Sequence, residues 1–288
     1  MTTLRTLQPG DEMLLENFLL QHTDTSMFLR SNWREAGLVD RGEMLQGTYI
    51  AALLDNNIVA VAAHYWNGMV VVQAPVYLPE VVQTAVAQSH RAISGIAGPA
   101  AQVKVTKQVL GLANHPTNID ERELLFSLAL SDLQIPPALA SGEVKCRLPH
   151  PEEFDLLTEW HVAYDLETLK KSETPDLYTT SRQEIAAHQA KATHWVLVVE
   201  DTPVAYTTFN ARLPDIVQIG GVWTPPALRG KGYAKSVVAG SLLEARSHSV
   251  ERAILFTQQT NLAAQAAYRG IGFRATGEEF GLVLFDMK

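Results

Sequence analysis

The 288-residue sequence contains a single cysteine, Cys146. One cysteine closes no intramolecular disulfide and supplies no cysteine-rich metal site, so the expected compartment is a reducing cytoplasm. Long apolar runs are missing as well. Stretches such as IVAVAA and MVVVQA fall far short of the ~20 residues a membrane helix needs. The opening MTTLRTLQPGDEMLLENFLL carries acids where a signal peptide has a cationic start and an unbroken apolar stretch, so a soluble protein is expected. Basic charge is in deficit: Lys and Arg number 23 against 31 Asp and Glu, for a net charge of −8. That balance lacks the footprint of a nucleic-acid binder and suits a cationic or neutral substrate better than an anionic one. A local basic pocket for phosphate remains compatible with it. The nine histidines are scattered without HExxH spacing, so no metal is expected. GxSxG and GxxxxGK[ST] are also absent, which removes serine-hydrolase and Walker-loop readings.

What is present is an ordinary globular balance, 47% hydrophobic and 19% charged, long enough for about two domains. Strand-like and helix-like patterns alternate throughout. LRTL precedes the helical spacing of MLLENFLLQH and MFLRSNWREAGL. TYIAALLD and IVAVAAHYW flank Asp55-Asn56-Asn57 as a hairpin, and MVVVQAP follows Asn67-Gly68. Next come the helix-like PEVVQTAVAQS, a strand at ISGIAG and the helix-like PAAQVKVTKQVLG. The order then recurs: EVKCRLP, EEFDLLTEWHVAYDLE, a helix near SRQEIAAHQAK, and WVLVVED turning at Asp201-Thr202-Pro203. VAYTTFNA, DIVQIGGVW, a helix, AILFT, another helix and a final hairpin FRATG…GLVLFDMK complete it. Two copies of one α/β unit are expected, residues 1–138 and 139–288, divided near Pro136 to Glu143 where Pro, Ser and Gly cluster.

One segment concentrates chemistry. A strand ends at Trp223-Thr224, a loop carries Pro225-Pro226, and Arg229-Gly230-Lys231-Gly232-Tyr233-Ala234 opens a helix. Glycines at a helix start let phosphate oxygens reach unpaired backbone N–H groups, and the helix dipole with Arg229, Lys231 and Lys235 adds positive charge. This is a pyrophosphate cradle by construction.

Arg229-x-x-Gly232-x-Ala234 resembles the R/Q-x-x-G-x-G/A signature of the GCN5-related N-acetyltransferases, the GNAT family. Asn261, Ala264, Tyr268, Gly272 and Phe273 match its N-x-x-A-x-x-x-Y-x-x-x-G-F segment, and the resemblance covers roughly Glu143 to Lys288. It implies an α/β fold of two GNAT-like domains, each a mixed, mostly antiparallel sheet flanked by helices. The activity implied is direct transfer of an acetyl group from acetyl-CoA to a primary amine. In this family a bulged strand splays from its neighbour to admit the pantetheine arm, and Gly220-Gly221 is a natural bulge site. Val222, Trp223 and Thr224 would then line the arm, with the Val222 N–H toward the thioester carbonyl oxygen. The N–H groups of Gly230 to Lys235 would hold pyrophosphate. Asn261 matches a position that caps the last helix and touches the arm. Tyr268 matches the general acid that protonates the departing thiolate.

The base is less defined. The strand position that often bears glutamate falls near Asp215 to Gln218, and Gln218 accepts no proton. Asp215 is the candidate carried forward, with His161, Asp165 and Glu167 on the first helical region as others. Cys146 reads as a small buried hydrophobe. In the first half, Val76 to Gln83 has no glycine and places Glu80 at the helix entry. That half is expected to be degenerate and to serve structure or acceptor shaping, in a monomer or homodimer. A CoA-binding module without turnover and a protein-interaction scaffold are the competing readings.

Overall fold

The computed structural model describes residues 2–286. The first elements are β1 (Thr3–Thr6), α1 (Glu12–Leu19), α2 (Met27–Ala36), β2 (Gly47–Leu54), β3 (Asn57–Tyr65) and β4 (Met69–Gln73). They continue with α3 (Leu78–Ser89), β5 (Gly95–Pro99), α4 (Ala100–Val109) and β6 (Thr117–Ala129). Then come α5 (Pro137–Ala140), β7 (Lys145–Arg147), α6 (Phe154–Glu167), α7 (Pro175–Lys191), β8 (His194–Val199) and β9 (Thr202–Arg212). Finally there are β10 (Ile216–Trp223), α8 (Tyr233–Ser247), β11 (Arg252–Gln258), α9 (Leu262–Arg269) and β12 (Arg274–Phe285).

Two compact units result. One holds the chain up to Leu124 together with the segment from Gly277 onward, and the other holds Leu125–Thr276. This division differs from a break at 138/139. The Pro-rich stretch forms α5, whose Ala138 carbonyl accepts the Val144 N–H, rather than a free linker. In the first unit β1 to β4 pair antiparallel in sequence order, and β4 pairs parallel with β5. In the second, β7 to β10 pair antiparallel, and β10 pairs parallel with β11. The repeated element order is a repeated topology: two helices, an antiparallel meander, then a crossover helix into a parallel strand.

Local chemistry explains the turns. Asp55 and Asn56 both take left-handed backbone, with φ of 49° and 62°, as a two-residue hairpin loop requires. Glu200 and Asp201 repeat this at 46° and 63°. The second turn therefore lies one residue earlier than its sequence suggests, and Thr202 and Pro203 already pair with Val199 and Val198. Among the described residues the final hairpin does not form. Gly277, at φ 87°, lies within β12, which runs on through it without reversing. Phe280 to Leu284 instead pair antiparallel with β5, which supplies the first unit with a further strand. Met287 and Lys288, read as the end of that hairpin, lie outside the described residues.

Each unit has its own core. In the first, Ile50, Val70, Val72, Val81, Ile96 and Val283 are buried together. In the second, Leu157 of α6 and Ile185 of α7 pack on Val196, Val198, Tyr206 and Trp223. Strand alternation turns Trp195 away from this layer, and its ring meets Phe209 at 4.3 Å between centroids. Cys146 packs against Gly240 of α8, where a Cβ would stand 2.2 Å from the cysteine Cβ. Burial pushes its thiol up to about 12, so it is an inert packing residue. Among the described residues no helix is long and apolar enough to cross a membrane.

Candidate functional site

The sequence VQIGGVW builds a strand that begins regularly and then loses its partner. Ile216, Val217 and Gln218 pair in parallel with Arg252, Ala253 and Ile254, and the ladder ends there. Both strands run on, β10 to Trp223 and β11 to Gln258. The gap between them exposes backbone groups that a regular sheet would have paired. On the other side the β9–β10 register slips twice, at Gln218/Ile219 and between Gly220 and Trp223. Glycine is favoured here. Gly221 has φ 54°, and a Cβ there would stand 2.8 Å from Thr208 Oγ1 and 3.1 Å from the Tyr206 hydroxyl. A Cβ on Gly220 would strike Asn210 Oδ1 at 2.0 Å. The bulge turns Val222, Trp223 and Thr224 out of register beside the gap.

The chain then enters α8. Gly230 and Gly232 have φ of 81° and 78°, and Gly232 is the N-cap residue. No side chain caps this helix, so its first-turn N–H groups lack partners within it. No neighbour lies within 4 Å of a Cβ at Gly230, which leaves the loop open to a ligand. The flanking Lys231 is exposed, while Tyr233, Ala234 and Lys235 are half-buried. Arg229 is occupied differently from its expected place at the phosphates. Its Nη1 and Nη2 lie 2.9 and 3.0 Å from the Glu167 carboxylate, and its Nε donates to the Thr224 carbonyl at 3.0 Å. Its guanidinium also stands 4.8 Å from the Trp223 ring centroid. Arg229 thus fastens the loop, and Glu167, a base candidate in the sequence, is committed to it.

Asn261 caps α9, its side chain accepting the Ala264 N–H at 3.1 Å. Tyr268 is buried on the last turn of α9, its ring edge-on to Phe273 at 6.1 Å. Its carbonyl takes the N–H groups of Ile271 and Phe273, which fixes the turn through Gly272.

The base candidates separate. Asp215 stands before the first residue of β10, seven positions upstream of Val222, at the end remote from the bulge. Its carbonyl accepts the N–H groups of Glu251 and Arg252. At ~3.3 Å per residue that is on the order of 20 Å from the bulge, so Asp215 is not gathered into the site. His161 and Asp165 are. His161 Nε2 lies 3.0 Å from Glu184 Oε2, and its Nδ1 lies 3.7 Å from Asp165 Oδ2. Both residues are buried, and His161 Nδ1 and Asp165 Oδ1 have no hydrogen-bond partner. Burial pushes the Asp165 carboxyl up despite the Lys171 ammonium beside it, whereas His161 helps to hold Glu184 below its ordinary value. Tyr206 links this cluster to the bulge: burial and the neighbouring Tyr164, Asp165 and Glu184 raise its phenol, whose oxygen is also unpartnered. Neither Glu184 nor Tyr206 was readable from the sequence. Gln218 sits where the strands part, buried, with its Oε1 unpartnered.

A pair of imidazoles lies behind the cluster. His188 and His194 stack at 6.1 Å, and burial pushes each down to about 4. The neutral ring is therefore the folded form. Above the ordinary histidine value of ~6.5 neither ring affects stability; as pH falls from there toward 4 the unfolded rings take protons that the folded ones refuse. Stability is expected to fall across that window, and His194→Phe to lose on the order of 2 kcal/mol of the decline. Thermal melts at pH 7 and pH 5 check it, and an unchanged pH slope in the variant would refute it.

The corresponding corner of the first unit is closed. The Ala74 N–H, just past β4, donates to Gln102 Oε1 at 2.7 Å. A Cβ on Gly98 of β5 would stand 2.5 Å from the Val72 carbonyl oxygen, so these strands remain in contact where β10 and β11 separate. The helix after it starts at Leu78-Pro79-Glu80, and Pro79 has no N–H to offer an anion.

The comparisons agree with this geometry. No curated protein matches the sequence. Among solved structures, a Drosophila protein is 13% identical with a TM-score of 0.68, covering 98% of both chains. A GCN5-related N-acetyltransferase from Sphaerobacter thermophilus is 13% identical with a TM-score of 0.58, covering 98% of this chain and 94% of that one. A tandem GNAT protein from the clavulanic acid biosynthesis pathway is 11% identical with a TM-score of 0.55, covering 98% of both. At these identities the likeness is one of fold. Residues 155–273 match the model of the Acetyltransferase (GNAT) family, a span that contains the parted strands, the α8 entry and Tyr268. Over this segment the chain is similar to the GNAT family.

Proposed function

We propose that the protein transfers an acetyl group from acetyl-CoA directly to a primary amine, in the cytoplasm, using only its second unit. The observation that carries this reading is the parting of β10 from β11 after Gln218 and Ile254, beside an uncapped helix N-terminus. The gap is suited to an extended pantetheine arm, held by strand-like bonds to Val222 and Thr224, and the N–H groups of Gly230 to Lys235 suit a pyrophosphate. The Val222 N–H would stabilise the oxyanion that forms as the amine attacks the thioester carbon. Nitrogen–carbon bond formation breaks the carbon–sulfur bond, and Tyr268 gives its proton to the sulfur.

His161 replaces Asp215 as the base in this reading. Glu184 on Nε2 fixes the tautomer that leaves Nδ1 as the acceptor, and Nδ1 is the buried atom without a partner. Cys146, inert and packed on Gly240, offers no acyl-enzyme route, which favours direct transfer.

Acetyl-CoA is expected to protect Val222 to Lys235 and Asn261 to Tyr268 from hydrogen exchange, with no protection at Val76 to Val82. Equal protection in both units would overturn the one-site reading. Gly232→Val should weaken acetyl-CoA by about 1–3 kcal/mol, because left-handed backbone is strained in a β-branched residue and buried polar groups lose partners. Calorimetry on the variant, with thiol release across an amine panel for wild type, tests binding and turnover separately.

A further inference from the structure

Between α6 and α7 the protein holds one of its own amines in a buried acidic niche. Lys171 Nζ lies 2.7 Å from Asp165 Oδ2, and the Lys171 N–H donates to the Asp165 carbonyl at 3.1 Å. The two partners differ in access: the Lys171 side chain is 32% exposed and that of Asp165 is 1% exposed. The ammonium therefore reaches in from solvent on a flexible stem, while the carboxylate is fixed inside. The niche also has more acceptors than the lysine uses. Asp165 Oδ1 is buried without a hydrogen-bond partner, and an ammonium carries three donors. Glu184, at 3.0 Å from His161 Nε2, adds a second carboxylate behind the imidazole.

We propose that Asp165, beside His161, forms a subsite for a primary alkylammonium, which Lys171 fills until an acceptor displaces it. The inference rests on the acetyl-transfer reading and names its acceptor class: an amine that carries a second, non-reacting ammonium. The second charge follows from chemistry. An amine against Asp165 is kept protonated by the opposite charge and is no nucleophile, so the reacting nitrogen is a different one. His161 Nδ1, 3.7 Å from Asp165 Oδ2, stands where a nitrogen a few carbons along the same molecule would pass its proton. The net charge of −8 favours arrival of a dication.

The test compares 1,4-diaminobutane with 1-aminobutane on the full chain. Wild type should acetylate the diamine with a kcat/KM at least ~10-fold higher, and Lys171→Met should lower the diamine KM several-fold, because an internal competitor is gone. Asp165→Asn should erase the preference. If that variant does not fold, the Lys171→Met protein still decides: its melting temperature should rise with 1,4-diaminobutane and not with 1,4-butanediol. Equal kcat/KM for the two amines, or an unchanged or raised diamine KM in Lys171→Met, overturns the subsite. Should no amine be acetylated, the transfer reading fails, and calorimetry with CoA present judges the subsite alone. Diamine binding tightened by Lys171→Met upholds it; undetectable binding, or binding that the variant leaves unchanged, removes it.

Discussion

Tyr268→Phe is expected to lower kcat by roughly 10²–10⁴-fold, the usual contribution of a general acid, with little change in acetyl-CoA Kd. The variant keeps the ring that packs edge-on to Phe273 and removes only the hydroxyl. Because the backbone around Tyr268 is fixed by its own carbonyl, which binds the Ile271 and Phe273 N–H groups, the turn should survive. A loss confined to kcat marks an interaction made mainly in the transition state. If the hydroxyl served only packing, the variant would lose ~1 kcal/mol of stability and keep its kcat. Steady-state kinetics, a calorimetric Kd and a melting curve on the same preparation separate these outcomes. Undiminished kcat would show that the thiolate takes its proton elsewhere.

His161→Gln is expected to lower kcat by about 10²–10³-fold, again with acetyl-CoA affinity preserved, and free imidazole should restore part of the rate. Asp215→Asn should remain near wild type, since Asp215 stands at the far end of β10 from the bulge. The pair decides between the sequence and the tertiary structure as guides to the base. A purely structural His161, serving the Glu184 contact, would show as a lower melting temperature without a rate effect or imidazole rescue. A large loss in Asp215→Asn with none in His161→Gln would reverse the assignment.

The elements nearest in sequence were the most legible. The glycines of RGKGYA announced a helix entry open to anions, and the structure gives Gly230 and Gly232 left-handed backbone there with no capping side chain. Asn261 announced a helix start and caps one. Gly220 and Gly221 announced a bulge, and the β9–β10 register slips at that point. The repeated order of elements was legible too, because apolar periodicity and turn residues are local properties.

What the sequence determined by itself was therefore the set of local conformations: which segments form helices or strands, and where glycine permits a bend or an exposed N–H. The tertiary structure alone decided which distant side chains meet. His161 and Glu184 lie on different helices, and only the packing of α6 against α7 sets them 3.0 Å apart. Arg229 and Glu167 are likewise joined across 62 positions. The same holds for the last strand, whose Gly277 reads locally as a turn. Phe280 to Leu284 instead pair with β5, because that strand's ladder groups gain partners there and local sequence carries no record of an available edge.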